Sequence, residues 1–366
     1  MTKRRSLLGA LLLGACTTVP SPGPLRAHLP LREAGLRDAR AAFAPLLALA
    51  DPERERWFDG TESTAADGSA EADARRRLAL SRSAGTVVLI VPGLLGDCVA
   101  RQAAPFGDGV ARDRFEPAAP YGAYADLGLH TLERLDLPGR QGVAANGARV
   151  AEALLRHAAH PGVRRLVLVG YSKGVVDALE ALQQLQAQGR VPSQALALVS
   201  VAGPVMGTPL AGRLGDWVQA LQPQAALGDC GAADAHGLSD LSPEAMARWW
   251  QGARLPLGLQ RYSVAAQAEP HHMAPLLRPL HAWLGRQQAR NDGQVLVGDA
   301  LLPGSSLLAL ARTGHWNLAL PLERHPNPLL RAFVADPGFP REALLRAILL
   351  WVLGEPDTPA LPLLAR

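Results

Sequence analysis

The segment that most constrains this chain is Gly170-Tyr171-Ser172-Lys173-Gly174, because of what flanks it. Leu166-Val167-Leu168-Val169 runs directly into it. Val175 to Gln188 runs directly out with helical spacing and ends at Gly189. An unbroken aliphatic run fits a strand covered on both faces, and glycine after the last periodic residue fits a helix C-terminus. The pentapeptide is then a sharp turn, with glycine wherever a side chain would clash as strand and helix cross. A turn of that kind presents its middle residue, here a serine, at the end of a sheet.

The alternation continues on both sides. Thr86 to Val91 is a β-branched and aliphatic run closed by Pro92-Gly93, and Thr131 to Leu137 is a second strand closed by Pro138-Gly139. Val143 to Ala159 follows with Val150, Ala153, Leu154 and His157 on related helical faces. Ala195 to Val201, Arg261 to Ala266 and Leu307 to Ala311 read as further strands. Strands alternating with helices predict an α/β fold, a mostly parallel central sheet flanked by helices. Between about residues 212 and 258 the alternation lapses, and Trp217, Trp249 and Trp250 fall there. That stretch is expected to be an inserted helical cap over the sheet; two ordinary packing helices are the other reading. No internal repeat is visible.

With 366 residues, 48% of them hydrophobic and 19% charged, the chain can bury one large α/β domain with insertions, or two small domains. The net charge of +4 comes from Arg spread along the chain, which argues for solvated surface and against a nucleic-acid groove.

Met1-Thr2-Lys3-Arg4-Arg5 is basic, and Ser6 to Ala15 is an apolar run too short to cross a bilayer. Residues 1–16 are therefore expected to be a signal peptide. Leu13-Gly14-Ala15-Cys16 resembles the lipobox of bacterial lipoproteins, which implies lipid on Cys16 and anchorage to a membrane of the bacterial cell envelope, the outer membrane foremost, on its periplasmic side or surface. Arg4-Arg5 also resembles a twin-arginine signal, so the export route stays open. Residues 17–84 are read as tether and N-terminal extension: a Pro-rich tether over Val19 to Pro30, a helix within Leu31 to Leu49 broken near Pro45, and a polar surface loop over Asp59 to Ala74. The regular domain is placed at 85–355 and a tail at 356–366. With Cys16 lipidated, Cys98 and Cys230 are either a disulfide in an oxidising compartment or two independent buried thiols.

Gly170 to Gly174 with its flanks resembles the nucleophile elbow of α/β-hydrolases, bacterial lipases in particular. Four further islands between Gly85 and Leu320 resemble those enzymes. Val91-Pro92-Gly93-Leu94-Leu95-Gly96 is similar to their oxyanion loop, with Pro92 where His is usual. Gly207-Thr208-Pro209-Leu210 is similar to their Gly-Thr-Pro segment, Asn291-Asp292-Gly293-Gln294-Val295 to the turn bearing their acid, and Gly314-His315-Trp316-Asn317 to the turn bearing their histidine. The resemblance implies Ser172, Asp292 and His315 as catalytic residues in the chain order serine, acid, histidine. Imidazole takes the serine proton near neutral pH, and a carboxylate fixes its tautomer. Glu269, just after a strand, is the rival acid. His325, in a Pro-flanked polar stretch, is expected on the surface. Two backbone N–H groups, of Leu94 and Lys173, are implied as oxyanion donors.

Two departures stand out. Tyr171 and Lys173 flank the serine, where lipases often have His before it and a small or polar residue after it. Lys173 is read as a surface cation at the helix start, with contact to an anionic substrate group as the alternative. Leu318-Ala319-Leu320-Pro321-Leu322 holds no carboxylate for the calcium those lipases bind, so no calcium site is carried over. His271-His272 is not read as a zinc site, because neighbouring residues seldom converge on one ion. No organic cofactor is implied. The expected function is hydrolysis of carboxylic esters with an apolar acyl group, through an acyl-enzyme on Ser172. Polyester, thioester and amide bonds fit the same three residues, and a non-catalytic lipoprotein using the fold for binding is the contrasting class.

Overall fold

The computed structural model describes residues 35–51, 53, 56–60, 69–94, 103–107, 121–212, 236–325, 328–331, 334 and 338–356. The signal segment, the tether, Cys16, Cys98, Cys230, Trp217 and residues 213–235 of the proposed cap lie outside them.

Seven strands form one sheet: β1 (Arg37–Asp38), β2 (Thr86–Val91), β3 (Thr131–Arg134), β4 (Arg165–Tyr171), β5 (Ala195–Val201), β6 (Gln260–Gln267) and β7 (Ser306–Arg312). Their order is β1-β7-β6-β5-β4-β2-β3, and every pairing is parallel. Parallel strands cannot be joined by tight hairpins, so the chain returns through α3 (Val143–Ala158) between β3 and β4 and α4 (Lys173–Ala187) between β4 and β5. Helices α1 (Arg40–Ala50) and α2 (Ser69–Arg82) come earlier in the chain. After β5 come α5 (Pro243–Gly252), α6 (Arg278–Leu284), α7 (His315–Ala319) and α8 (Arg341–Gly354).

The two-residue period of the strands divides the core into two layers. In β2, Val88 and Ile90 join one cluster with Phe43 of α1 and Leu344, Ile348 and Trp351 of α8. Val87, Leu89 and Val91 point to the other, with Leu154 of α3 and Leu179 and Leu182 of α4. In β4 the division repeats, Val167, Val169 and Tyr171 against Leu166 and Leu168. Burial on both faces explains why these strands read as continuous aliphatic runs.

Three expectations need correction. The stretch 69–74, read as part of a surface loop, opens the helix α2. Pro45 does not break its helix; it sits inside α1, which starts at Arg40. One lost intrahelical bond is offset by burial of Phe43, Leu46 and Leu47. Residues assigned to the N-terminal extension share the domain's core: β1 pairs with β7, and Trp57 and Phe58 are buried. Among the described residues no helix is long and apolar enough to cross a membrane.

Candidate active site

An all-parallel sheet puts all its strand-to-helix loops on one edge, the carboxyl ends of the strands, where α/β folds bind ligands. All four islands that carry the site residues lie after strands on that edge. The loop of Pro92, Gly93 and Leu94 follows β2, Ser172 follows β4, Asp292 comes after β6, and His315 comes after β7.

Ser172 is held at φ 54° and ψ −129°. A residue with a β-carbon in that region is strained by about 1–3 kcal/mol and persists only where its surroundings over-determine it. Here Ser172 N donates to Val201 O at 3.0 Å and Val175 N to Ser172 O at 3.0 Å. The glycines are required by contact. A β-carbon on Gly174 would lie 2.1 Å from Val91 O, and one on Gly170 would lie 2.7 Å from Val175 Cα. One on Gly93 would lie 2.8 Å from Ser172 Cβ, so the β2 loop passes directly against the serine.

His315 meets Asp292 twice. Its backbone N–H donates to Asp292 O at 2.9 Å, and its Nδ1 lies 2.7 Å from Asp292 Oδ2. A carboxylate only accepts, so Nδ1 carries the proton and Nε2 is left as an acceptor, 2.9 Å from Ser172 Oγ. The other oxygen, Asp292 Oδ1, accepts from the backbone N–H groups of Gln294 at 2.8 Å and Val295 at 2.7 Å. Asp292 thus serves its own turn with one oxygen and His315 with the other. Asp292 and His315 are each 1% exposed. Glu269 is exposed, and His315 Nδ1 is occupied by Asp292. Thr208 of the Gly-Thr-Pro segment donates its hydroxyl to Gln294 O at 2.6 Å, tying that segment to the acid turn.

This fold has counterparts among solved structures. A metagenomic carboxyl esterase is similar at 28% identity over 91% of this chain and 96% of that one, with a TM-score of 0.69. The chain has an α/β-hydrolase fold. The mature Bacillus licheniformis lipase BlEst2 is similar at 20% identity over 72% of this chain and 92% of that one, TM-score 0.49. The RedJ thioesterase of Streptomyces coelicolor is similar at 17% identity over 69% of this chain and 90% of that one, TM-score 0.34. No family model matches the chain, and no curated protein matches it.

Within this hydrolase fold the surface reading of Lys173 is overturned. Its side chain is fully buried, with Nζ 2.7 and 2.8 Å from the two oxygens of Asp177 one helical turn on. Asn146 of α3 donates to Asp177 Oδ2 at 3.1 Å and to Pro138 O at 3.1 Å, so the pair joins α4 to α3. Burial pushes the Asp177 carboxyl up to about 6, against the pull of Lys173 and Asn146. The backbone N–H of Lys173 stands in the first turn of α4, where no intrahelical acceptor exists. Leu94 is half-buried beside Gly93.

His325, expected on the surface, is buried at 6% exposure, held by the short turn before it. Of the proposed cap, α5 is described. Trp249 Nε1 donates to Glu180 of α4 at 2.6 Å and Trp250 Nε1 to Val205 O at 2.8 Å. Both indoles also pack on the core layer of α3 and α4, so α5 is fastened to the body of the domain. Three residues around His315 were not singled out as site residues from sequence. Tyr171 was visible only as a departure beside the serine, while Phe106 and Arg341 lie far from it in the chain and carry no local signal.

Proposed function

We propose that the protein is a serine hydrolase of carboxylic esters, with Ser172 as nucleophile, His315 as base and Asp292 as its orienting acid. The observation that carries this reading is the continuous chain from Ser172 Oγ to His315 Nε2 at 2.9 Å and from His315 Nδ1 to Asp292 Oδ2 at 2.7 Å. Ser172 Oγ bonds to the ester carbonyl carbon as its proton passes to Nε2, and the carbonyl π pair moves onto oxygen. Backbone N–H groups of Lys173 and Leu94 receive that oxyanion. Collapse breaks the bond to the alcohol oxygen, which takes the proton from Nε2. Water then attacks the acyl-enzyme, with His315 again as base, and the acid leaves. The strain at Ser172 favours this reading over a binding scaffold, because strained residues of this kind cluster at active sites.

The substrate class in this proposal is an ester with an apolar acyl group. Each methylene withdrawn from water contributes about 0.8 kcal/mol, which is roughly fourfold in kcat/KM. On p-nitrophenyl esters from acetate to palmitate, kcat/KM is expected to rise with chain length, then fall once the site is full. Folded protein that turns over none of these esters, but does cleave acyl thioesters or anilides, would move the substrate class to those bonds.

The same proposal places the enzyme on a bacterial envelope membrane, through lipid on Cys16; the basic n-region, short apolar run and lipobox-like sequence support it. Cys16→Ser is expected to abolish incorporation of labelled palmitate in the producing bacterium. Undiminished labelling of that variant would contradict the anchor.

A further inference from the structure

Helix α7, which carries His315, is five residues long, too short for its own ladder to occupy most of its carbonyls. Gly314 O accepts from Leu318 N, and Trp316 O from Leu320 N. Three more carbonyls are met from other parts of the fold. The Tyr171 hydroxyl donates to His315 O at 2.8 Å, and Phe106 N donates to Ala319 O at 2.7 Å. Arg341 Nε donates to Asn317 O at 3.4 Å, a longer and weaker bond. The base-bearing helix is therefore held from β4, from the segment around Phe106 and from α8.

Tyr171 stands at the centre of these contacts. Its ring centroid is 5.3 Å from that of His315, with the planes 30° apart. Phe106 packs edge-on against the same ring at 6.3 Å and 78°. Phe106 itself sits at φ 60°, in the left-handed region that non-glycine residues avoid. It is held there by its bond to Ala319 and by the Tyr124 hydroxyl, which donates to Phe106 O at 2.7 Å. Burial, with the nearby Asp292 carboxylate, keeps the Tyr171 phenol well above its ordinary value, although Arg341 pulls the other way. The hydroxyl therefore remains a donor across the working range of pH.

We propose that Tyr171 is a positioning residue for His315: its hydroxyl fixes the backbone that bears the imidazole, and its ring sets the imidazole plane. The ring face also favours the imidazolium formed when Ser172 gives up its proton, as aromatic faces favour cations within about 6 Å. This inference rests on the triad reading above. Tyr171 acts through His315.

The test uses the full chain with Tyr171→Phe, Tyr171→Leu and Ser172→Ala in parallel. kcat and KM on p-nitrophenyl butyrate, the rate of fluorophosphonate labelling and Tm are measured for each. Tyr171→Phe, which keeps the ring, is expected to lower kcat about tenfold, the effect of one lost buried hydrogen bond, with KM within about twofold. Tyr171→Leu is expected to lower kcat about a hundredfold and to slow labelling in parallel. The partial rescue by Phe separates positioning from simple packing. Should the Leu variant not fold, the Phe variant alone decides. Wild-type kcat in a folded Tyr171→Phe, or equal losses in both variants that merely track Tm, would overturn the inference while a dead Ser172→Ala left the triad standing. Turnover surviving in Ser172→Ala would instead sink the triad reading, and this inference with it.

Discussion

Ser172→Ala is expected to reduce kcat on a p-nitrophenyl ester by roughly four to six orders of magnitude, while unfolding at nearly the wild-type temperature. The size follows from chemistry. Without Oγ no acyl-enzyme forms, and what remains is attack by water within whatever oxyanion stabilisation the backbone supplies. The stability is expected to hold because Ser172 is fixed by its backbone bonds to Val201 and Val175, which alanine keeps. Asp292→Asn belongs to the same series. An amide at that position can offer its N–H to His315 and favour the wrong tautomer, so a loss of roughly ten-thousandfold is expected. Glu269→Gln is expected to change kcat by less than about twofold, since Glu269 is exposed and Nδ1 of His315 faces Asp292. A dead Glu269→Gln beside an active Asp292→Asn would reverse the assignment of the acid.

The second large effect concerns stability. The Lys173–Asp177 pair is fully buried, and such a pair is worth little against a well-packed apolar one but much against a half-removed one. Asp177→Leu leaves an ammonium buried without its counter-charge and is expected to cost about 3–5 kcal/mol. Lys173→Met is expected to cost less, because the Asp177 carboxyl, already pushed up to about 6 by burial, can take a proton and keep its bond from Asn146. The double variant Lys173→Met/Asp177→Leu is expected to be close to wild type. Urea unfolding of the four proteins gives the coupling directly. Single losses that simply add in the double variant would show that the two side chains do not act as a pair.

The sign of the pH effect follows from the same carboxyl. Its folded value, about 6, lies above the ordinary carboxylate value of 3.8 in the unfolded chain. Between these two the folded state binds more protons. Asp177 by itself therefore makes the fold less stable as pH rises from about 4 to about 6. Below that window its desolvation is relieved by protonation; above it the ionised pair is complete.

How much of this was legible in the sequence depends on where each constraint acts. The strand at Ala195 to Val201, the elbow, and the order of serine, acid and histidine are local, written in runs of aliphatic residues and in glycine. The structure adds residues at the strand ends, where Arg165 and Tyr171 extend β4. Helix α2 was not read from the sequence at all: its start, Ser69 to Ala74, is polar and small, and Ala72 and Ala79 are buried through tertiary contact, which overrides composition. Helix α8 shows no apolar stripe to read, because Leu344 to Leu353 is buried on nearly every side. Lys173 was misplaced although its partner sits at the i+4 position, where an ion pair on one helix face can be read. Tyr171 drew notice as a departure from a motif, but its role depends on α7 arriving from 144 residues away.

The central claim is that Ser172 is the nucleophile. The most direct measurement is mass spectrometry of the wild-type protein after reaction with a fluorophosphonate, with the modified peptide sequenced. One phosphonyl group per chain is expected, on the peptide holding Gly170-Tyr171-Ser172-Lys173-Gly174 and on Ser172 within it, and none in Ser172→Ala. An adduct on a different serine, or full ester turnover by protein in which Ser172 stays unmodified, would contradict it.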